Sequence, residues 1–299
     1  MIFPEMTHYM GANVTGSAIG ARMEEFAAAG IKFLQLGPKD LQLMKDDAAY
    51  RKEMLHQAQA NGLTIRDVHA PHQTENSLGT PIPLELIVNS QLNAIDIAGS
   101  LGVTTITIHV GRTRRTGEFA KDFGLFPFVD LPATEKRICD ALDILIPAAE
   151  KNKCVIALEN LFLPPSCADF LTPIVEKYNS PNLGMCYDSG HALLVEHQDG
   201  KVSDDIAEWI RIGWDDDTVI FQNDQLDRML NQVVTTHLHD NNGKNDQHLA
   251  PGDGVANWDK IVERLKRAPR LLTLQTELIG RLAVSPAADM VEWYKMFNI

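Results

Sequence analysis

One phrase recurs along this chain: a helix-like stretch, then a short β-branched run. The runs are Phe33-Leu34-Gln35-Leu36, Thr64-Ile65-Arg66-Asp67-Val68, Thr104-Thr105-Ile106-Thr107-Ile108 and Val155-Ile156-Ala157-Leu158. Further along come Leu183-Gly184-Met185-Cys186-Tyr187, Val233-Val234-Thr235-Thr236 and Leu271-Leu272-Thr273-Leu274-Gln275-Thr276. A weaker run from Met6 to Met10 makes eight. Runs this short and apolar suit strands buried on both faces, as in a parallel sheet. Three helix-like stretches close on Ala29-Gly30-Ile31, Asn61-Gly62-Leu63 and Leu101-Gly102-Val103. The glycine there supplies a left-handed residue that stops a helix and turns the chain into the next strand. Leu84, Ile87, Leu92, Ile95 and Ala98 share one face at helical spacing, as do Leu142, Leu145, Ile146 and Ala149. Strand and helix alternating eight times in 299 residues predict an α/β fold, a (β/α)8 TIM barrel, as a single domain over 1–299. A doubly wound open sheet is the competing architecture. No Gly-rich dinucleotide loop follows the first strand to support it.

Composition narrows the class. At 44% hydrophobic and 22% charged residues, the chain has ample apolar mass for one core and is neither disordered nor disulfide-stapled. Its longest apolar stretches fall short of the ~18 residues that span a bilayer, so no membrane association is expected. The opening Met1-Ile2-Phe3-Pro4-Glu5 lacks the pattern of a signal peptide, and Cys139, Cys154, Cys167 and Cys186 form no C-x-x-C pair. The expectation is a cytoplasmic protein with reduced thiols. With 27 basic against 40 acidic residues, the net charge is −13, which disfavours a sequence-blind grip on nucleic acid.

Where the apolar runs stop, metal-ligand residue types appear. His69, His109, Glu159 and Asp188 each follow a run, with His191 three residues after Asp188. His237, His239 and Asp240 follow the seventh, Glu277 the eighth, and Asp246 and His248 lie in the loop just beyond. Singly, each has a structural explanation, such as a hydrogen-bonded histidine or a helix-capping aspartate. Together, six barrel strands aim them at one spot, and so many buried charges need compensation. A divalent cation supplies it. Mixed carboxylate and imidazole ligands suit Mn²⁺ or Zn²⁺, with Co²⁺, Fe²⁺ or Mg²⁺ as further candidates.

These residues stand in Val68-His69-Ala70-Pro71, Ile108-His109-Val110-Gly111, Ala157-Leu158-Glu159-Asn160 and Tyr187-Asp188-Ser189-Gly190-His191. They continue in His237-Leu238-His239-Asp240-Asn241, in Asp246-Gln247-His248-Leu249-Ala250-Pro251-Gly252-Asp253-Gly254 with Trp258, and in Thr276-Glu277. The set resembles the sugar phosphate isomerase/epimerase group of the xylose isomerase-like TIM-barrel superfamily, related to class II AP endonucleases. The resemblance implies a metal held by Glu159, Asp188, His237 and Glu277, with His191 close by. His237 and His239 are two residues apart and face the same side of a strand, and the motif favours His237 as the ligand. His69, His109, Asp246 and His248 match positions that hold additional zinc ions in the AP endonucleases. Sugar isomerases often keep these residue types as well.

The expected function is a metal-dependent isomerase or epimerase of a ketose, sugar phosphate or related polyhydroxy carbonyl compound. Its chemistry moves a proton next to a carbonyl through a metal-stabilised enediolate. Glu159 and Glu277 are the expected acid/base pair. The alternatives are an AP endonuclease-like phosphodiester hydrolase and a catalytically silent sugar-binding barrel. Two long connectors, about 111–132 and 192–230, would lie on the active face. The first carries Arg112, Arg114 and Arg115 with Phe119, Phe123, Phe126 and Phe128. Those arginines suit a phosphate or carboxylate, and the phenylalanines a sugar ring or a second subunit in a homo-oligomer.

Overall fold

A computed structural model of the chain describes residues 3–10, 18–72, 76–111, 131–196, 224–278 and 286–297. Each expected run becomes a strand: β1 (Met6–Tyr9), β2 (Phe33–Leu36), β3 (Thr64–His69), β4 (Thr105–Ile108), β5 (Val155–Glu159), β6 (Leu183–Asp188), β7 (Val233–Leu238) and β8 (Leu274–Thr276). All neighbours are parallel, and β8 returns to pair with β1, with Thr7 opposite Gln275, closing the barrel. Around it stand α1 (Ala18–Ala28), α2 (Pro38–Asp46), α3 (Ala48–Ala60), α4 (Leu84–Leu101), α5 (Leu131–Asn152), α6 (Ala168–Tyr178), α7 (Ser189–Val195), α8 (Gln225–Met229), α9 (Trp258–Leu265) and α10 (Ala287–Trp293). This is a TIM barrel. No helix of the described residues is long and apolar enough to cross a membrane.

The three glycine stops adopt positive φ, with Gly102 at 70° closing α4 in the left-handed region. Between β2 and β3 the chain departs from one helix per connector. Asp47 is extended at φ −131° and ends α2, while its carboxylate accepts from the Ala49 and Tyr50 amides and starts α3.

Branched apolar residues commonly fill the inside of such a barrel. Here the interior below the strand ends is polar. Thr105 Oγ1 donates to Asp67 Oδ1 at 2.7 Å, and Gln275 Nε2 donates to Thr105 Oγ1 and Thr235 Oγ1 at 3.1 and 2.6 Å. Strands β4 and β8 are not neighbours, so the Gln275–Thr105 bond runs through the barrel itself. The apolar core therefore lies between the barrel wall and the helices, where Leu34, Val68, Ile106, Leu158 and Met185 are fully buried.

His8 on β1 belongs to that outer layer. Its ring is 5% exposed, lies edge-on to Tyr294, and its Nδ1 has no hydrogen-bond partner. Burial pushes its pKa down to about 3. The unfolded chain then binds more protons than the native state between pH ~6.5 and ~3, so stability is full above that window and falls as pH drops through it. At ~1.4 kcal/mol per unit, the loss amounts to about 5 kcal/mol at most. In acid unfolding followed by circular dichroism, His8→Phe is expected to unfold at lower pH than wild type. Coincident acid midpoints would show that His8 carries no such linkage.

Candidate metal centre

Six strands deliver the candidate ligands to the C-terminal mouth of the barrel. His69, Glu159 and Asp188 are the last residues of β3, β5 and β6, while His109 and Glu277 directly follow β4 and β8. The seventh strand is longer than its apolar run suggests and includes His237, with His239 just beyond.

Glu159 lies under a ring of imidazoles. Its Oε2 is 3.2 Å from His69 Nε2, 3.0 Å from His109 Nε2 and 3.3 Å from His237 Nδ1, and its Oε1 is 3.1 Å from His191 Nδ1. Burial pushes the Glu159 carboxyl up, but His109 and His237 more than reverse this and hold it well below the usual carboxylate range. Glu277 is treated likewise. Its Oε2 is 3.1 Å from His237 Nδ1, and His237 overcomes burial to hold it low.

Asp188 combines two duties. Its Oδ1 accepts from the His191 amide at 2.6 Å, capping α7, and its Oδ2 lies 3.0 Å from His239 Nε2 and 3.8 Å from His237 Nδ1. The structural explanation of a strand-end aspartate and the ligand explanation thus coexist in one side chain.

Ligand atoms of Glu159, Asp188, His237 and Glu277 lie within 4.8 Å of one another. Two further sets meet the same condition: His69, Glu159 and His237, and separately His191, His239, Asp246 and His248. The geometry therefore parts the two histidines of β7. His237 joins the three carboxylates, and His239 joins the second cluster, stacked on His248 at 3.8 Å and 12°. His109 stands beside the centre through Glu159 but belongs to none of these sets. His237 Nδ1, Glu159 Oε1, His239 Nδ1 and Asp246 Oδ1 are buried atoms that make no hydrogen bond. Buried polar atoms without hydrogen bonds, gathered in a mixed oxygen and nitrogen donor set, fit a divalent ion.

The flanking motif residues hold this arrangement. Asn160 clamps the ends of β5 and β6, donating to the Asp188 carbonyl and accepting from the Asp188 amide. Ser189 Oγ donates to the His239 carbonyl at 2.6 Å and accepts from its amide. Asp240 is an anchor, not a ligand. Its carboxylate accepts from the amides of Asn241, Gly252 and Ala256 and from the Trp258 indole. That ties down the loop carrying Asp246 and His248, whose ring Nε2 reaches Asp246 Oδ1 at 3.3 Å. His248 adopts φ +49°, an uncommon backbone conformation for a side chain of this size.

Two nearby residues escaped the motif reading. His72, three positions after His69, brings its ring within 5.1 Å of His69 and 4.9 Å of His109. Gln35 approaches His237 from inside the barrel at 3.4 Å. The arginines Arg112, Arg114 and Arg115 and the phenylalanines of that connector lie outside the described residues, as does most of 192–230.

The chain matches the family described as xylose isomerase-like TIM barrel over residues 23–291. It is 27% identical over 181 residues to the uncharacterized protein y4fM of Sinorhizobium fredii, a stretch of 58% of this chain and 46% of that protein. The chain thus spans less than half of that relative's length. Among solved structures, a D-tagatose 3-epimerase-like protein is 18% identical, with TM-score 0.65 and coverage of 99% and 98% of the two chains. A xylose isomerase-like TIM barrel protein from Mycobacterium smegmatis in complex with magnesium is 14% identical, with TM-score 0.68 and coverage of 98% and 95%.

Proposed function

Because the chain belongs to the xylose isomerase-like TIM-barrel family, we propose that it is a metal-dependent isomerase or epimerase of a ketose, sugar phosphate or related polyhydroxy carbonyl compound. The observation that carries this reading is the convergence of Glu159, at the end of β5, and Glu277, directly after β8, on His237 Nδ1 at 3.3 and 3.1 Å. Glu159, Asp188, His237 and Glu277 would hold the ion, with Mn²⁺ or Zn²⁺ as first candidates. When bound, it supplies positive charge against which negative charge can develop on neighbouring substrate oxygens. Both glutamates are held ionised by their imidazole neighbours, the state required of a base that takes a proton from carbon. Once protonated, the same carboxyl, or its partner, can return the proton to an adjacent carbon or to the other face. His191, packed against Phe162 and bonded to the Asn160 carbonyl, would orient a substrate hydroxyl in this reading.

One observation favours a second reading. The His191, His239, Asp246 and His248 cluster would suit a further ion, and multiple metals serve phosphodiester hydrolysis of the AP endonuclease kind. The net charge of −13 opposes it. Two assays on the purified protein separate the readings. The isomerase reading expects exchange of solvent deuterium into a ketose substrate and no nicking of an abasic-site duplex. Duplex cleavage at nanomolar protein without sugar exchange would favour the hydrolase. Sugar turnover without any solvent exchange would replace proton transfer by hydride transfer.

Metal uptake should also show a defined pH dependence. Burial pushes His237 and His191 down, but their surroundings, Cys186, Glu277 and Glu159 for the first, Asp188 and Asp246 for the second, raise both well above the usual value. His248 is raised by Asp246 to about 9. The metal-free centre therefore carries protons at neutral pH, and an imidazole must shed its proton to bind an ion. Affinity is expected to rise as pH climbs through the range in which these imidazoles lose their protons, about 9 for His248, with protons released on binding. Calorimetry in two buffers of different ionisation enthalpy measures the release. Identical heats in both buffers would mean that the centre is not protonated before binding.

A further inference from the structure

His237 turns its two ring nitrogens toward different surroundings. Nδ1 faces the carboxylates of Glu277, Glu159 and Asp188 at 3.1, 3.3 and 3.8 Å. Nε2 points into the barrel, 3.4 Å from the Gln35 side-chain amide and 3.4 Å from Thr107 Oγ1. Gln35 is on β2, Thr107 on β4 and His237 on β7, so both contacts cross the interior between strands that are not neighbours. All three side chains are fully buried.

An imidazole that gives its Nδ1 lone pair to a metal keeps its proton on Nε2, and that proton needs an acceptor. As placed, the Gln35 amide nitrogen faces Nε2, while Gln35 Oε1 has no hydrogen-bond partner despite its burial. The two ends of a carboxamide are told apart only by the bonds they make. Turned over, the amide directs Oε1 at His237 Nε2, which pairs the orphaned oxygen and removes the donor–donor encounter. Leu34 and Leu36 face the helices as core residues, and Gln35 breaks the apolar run at the position that faces inward.

We propose that Gln35, with Thr107 beside it, is the positioning residue that fixes His237 as its Nε2–H tautomer and aims Nδ1 at the ion. This rests on the reading of His237 as a metal ligand. The hydrogen bond does no chemistry on the substrate. It settles which nitrogen is free and how the ring is turned.

The test is Zn²⁺ titration against a chromogenic chelator, using wild type, Gln35→Leu, Gln35→Glu, Thr107→Val and His237→Ala. Gln35→Leu is expected to weaken binding by about 10–100-fold, the usual cost of losing a partner behind a ligating histidine. Gln35→Glu keeps an acceptor and is expected to bind within about threefold of wild type or more tightly. Thermal melting of the metal-free Gln35→Leu protein should match wild type, because the loss concerns the ion and not the fold. Wild-type affinity in Gln35→Leu, or equal weakness in Gln35→Leu and Gln35→Glu, would overturn the role of Gln35. If wild type takes up no Zn²⁺, or His237→Ala binds as wild type does, the metal-ligand reading fails first and takes this role with it.

Discussion

Glu159→Gln and Glu277→Gln are each expected to lower turnover by about 10²–10⁴-fold, the usual worth of a positioned acid or base. The substitution keeps the shape of the side chain and one acceptor oxygen but removes the ability to hold a proton. Both glutamates are also proposed ligands, so lost activity alone would be ambiguous. Metal content separates the two causes. At saturating Mn²⁺, a variant that binds its ion and still fails to exchange the substrate's α-hydrogen with solvent has lost a base. A variant whose activity returns with added metal has lost only a ligand. Glu277→Gln is the cleaner case, because among the described residues its ion-pair contacts are with His237 and His248, whereas Glu159 contacts His69, His109, His191 and His237. Full turnover in Glu277→Gln would remove it from the chemistry and leave Glu159 to act with some other group.

The barrel was legible because parallel strands buried on both faces announce themselves as short apolar runs, even the weak one at Met6–Tyr9. The ligands were legible for a related reason. A polar residue where an apolar run stops marks a strand's C-terminal end, and in this fold those ends converge. Three kinds of information were not in the pattern. Spacing could not separate His237 from His239, because both point inward and only the three-dimensional packing around β6 and the 241–257 loop parts them. Asp240 looked like the other acidic residues, yet the next residue's amide and three donors 12–18 positions further on make it an anchor. Gln35 was read as part of a strand, and its partner is 202 residues away across the barrel. Contacts through a barrel's interior leave no local trace in sequence.

Gly190→Ala is expected to disable the second cluster, because this glycine makes room for His239. A Cβ at Gly190 would stand 2.0 Å from His239 Cε1, 2.4 Å from Nδ1 and 2.8 Å from Nε2. Non-bonded carbon atoms rest at ~3.5–4.0 Å, so the ring must leave. It has nowhere to go: His239 is fully buried, stacked on His248 and bonded to Asp188. Overpacking of this kind costs about 1–3 kcal/mol, and displacing the ring adds the loss of its bond to Asp188. Gly190→Ala should therefore melt several degrees below wild type and bind fewer ions, with the loss falling on His191, Asp246 and His248. The Glu159, Asp188, His237 and Glu277 set should still bind, more weakly, because Asp188 loses a partner. The double variant Gly190→Ala/His239→Ala decides the cause. Removing the ring makes space for the new methyl group, so the double variant should be more stable than Gly190→Ala alone while remaining short of metal. If the two destabilisations simply add, the methyl group strains something other than His239, and the steric argument is wrong.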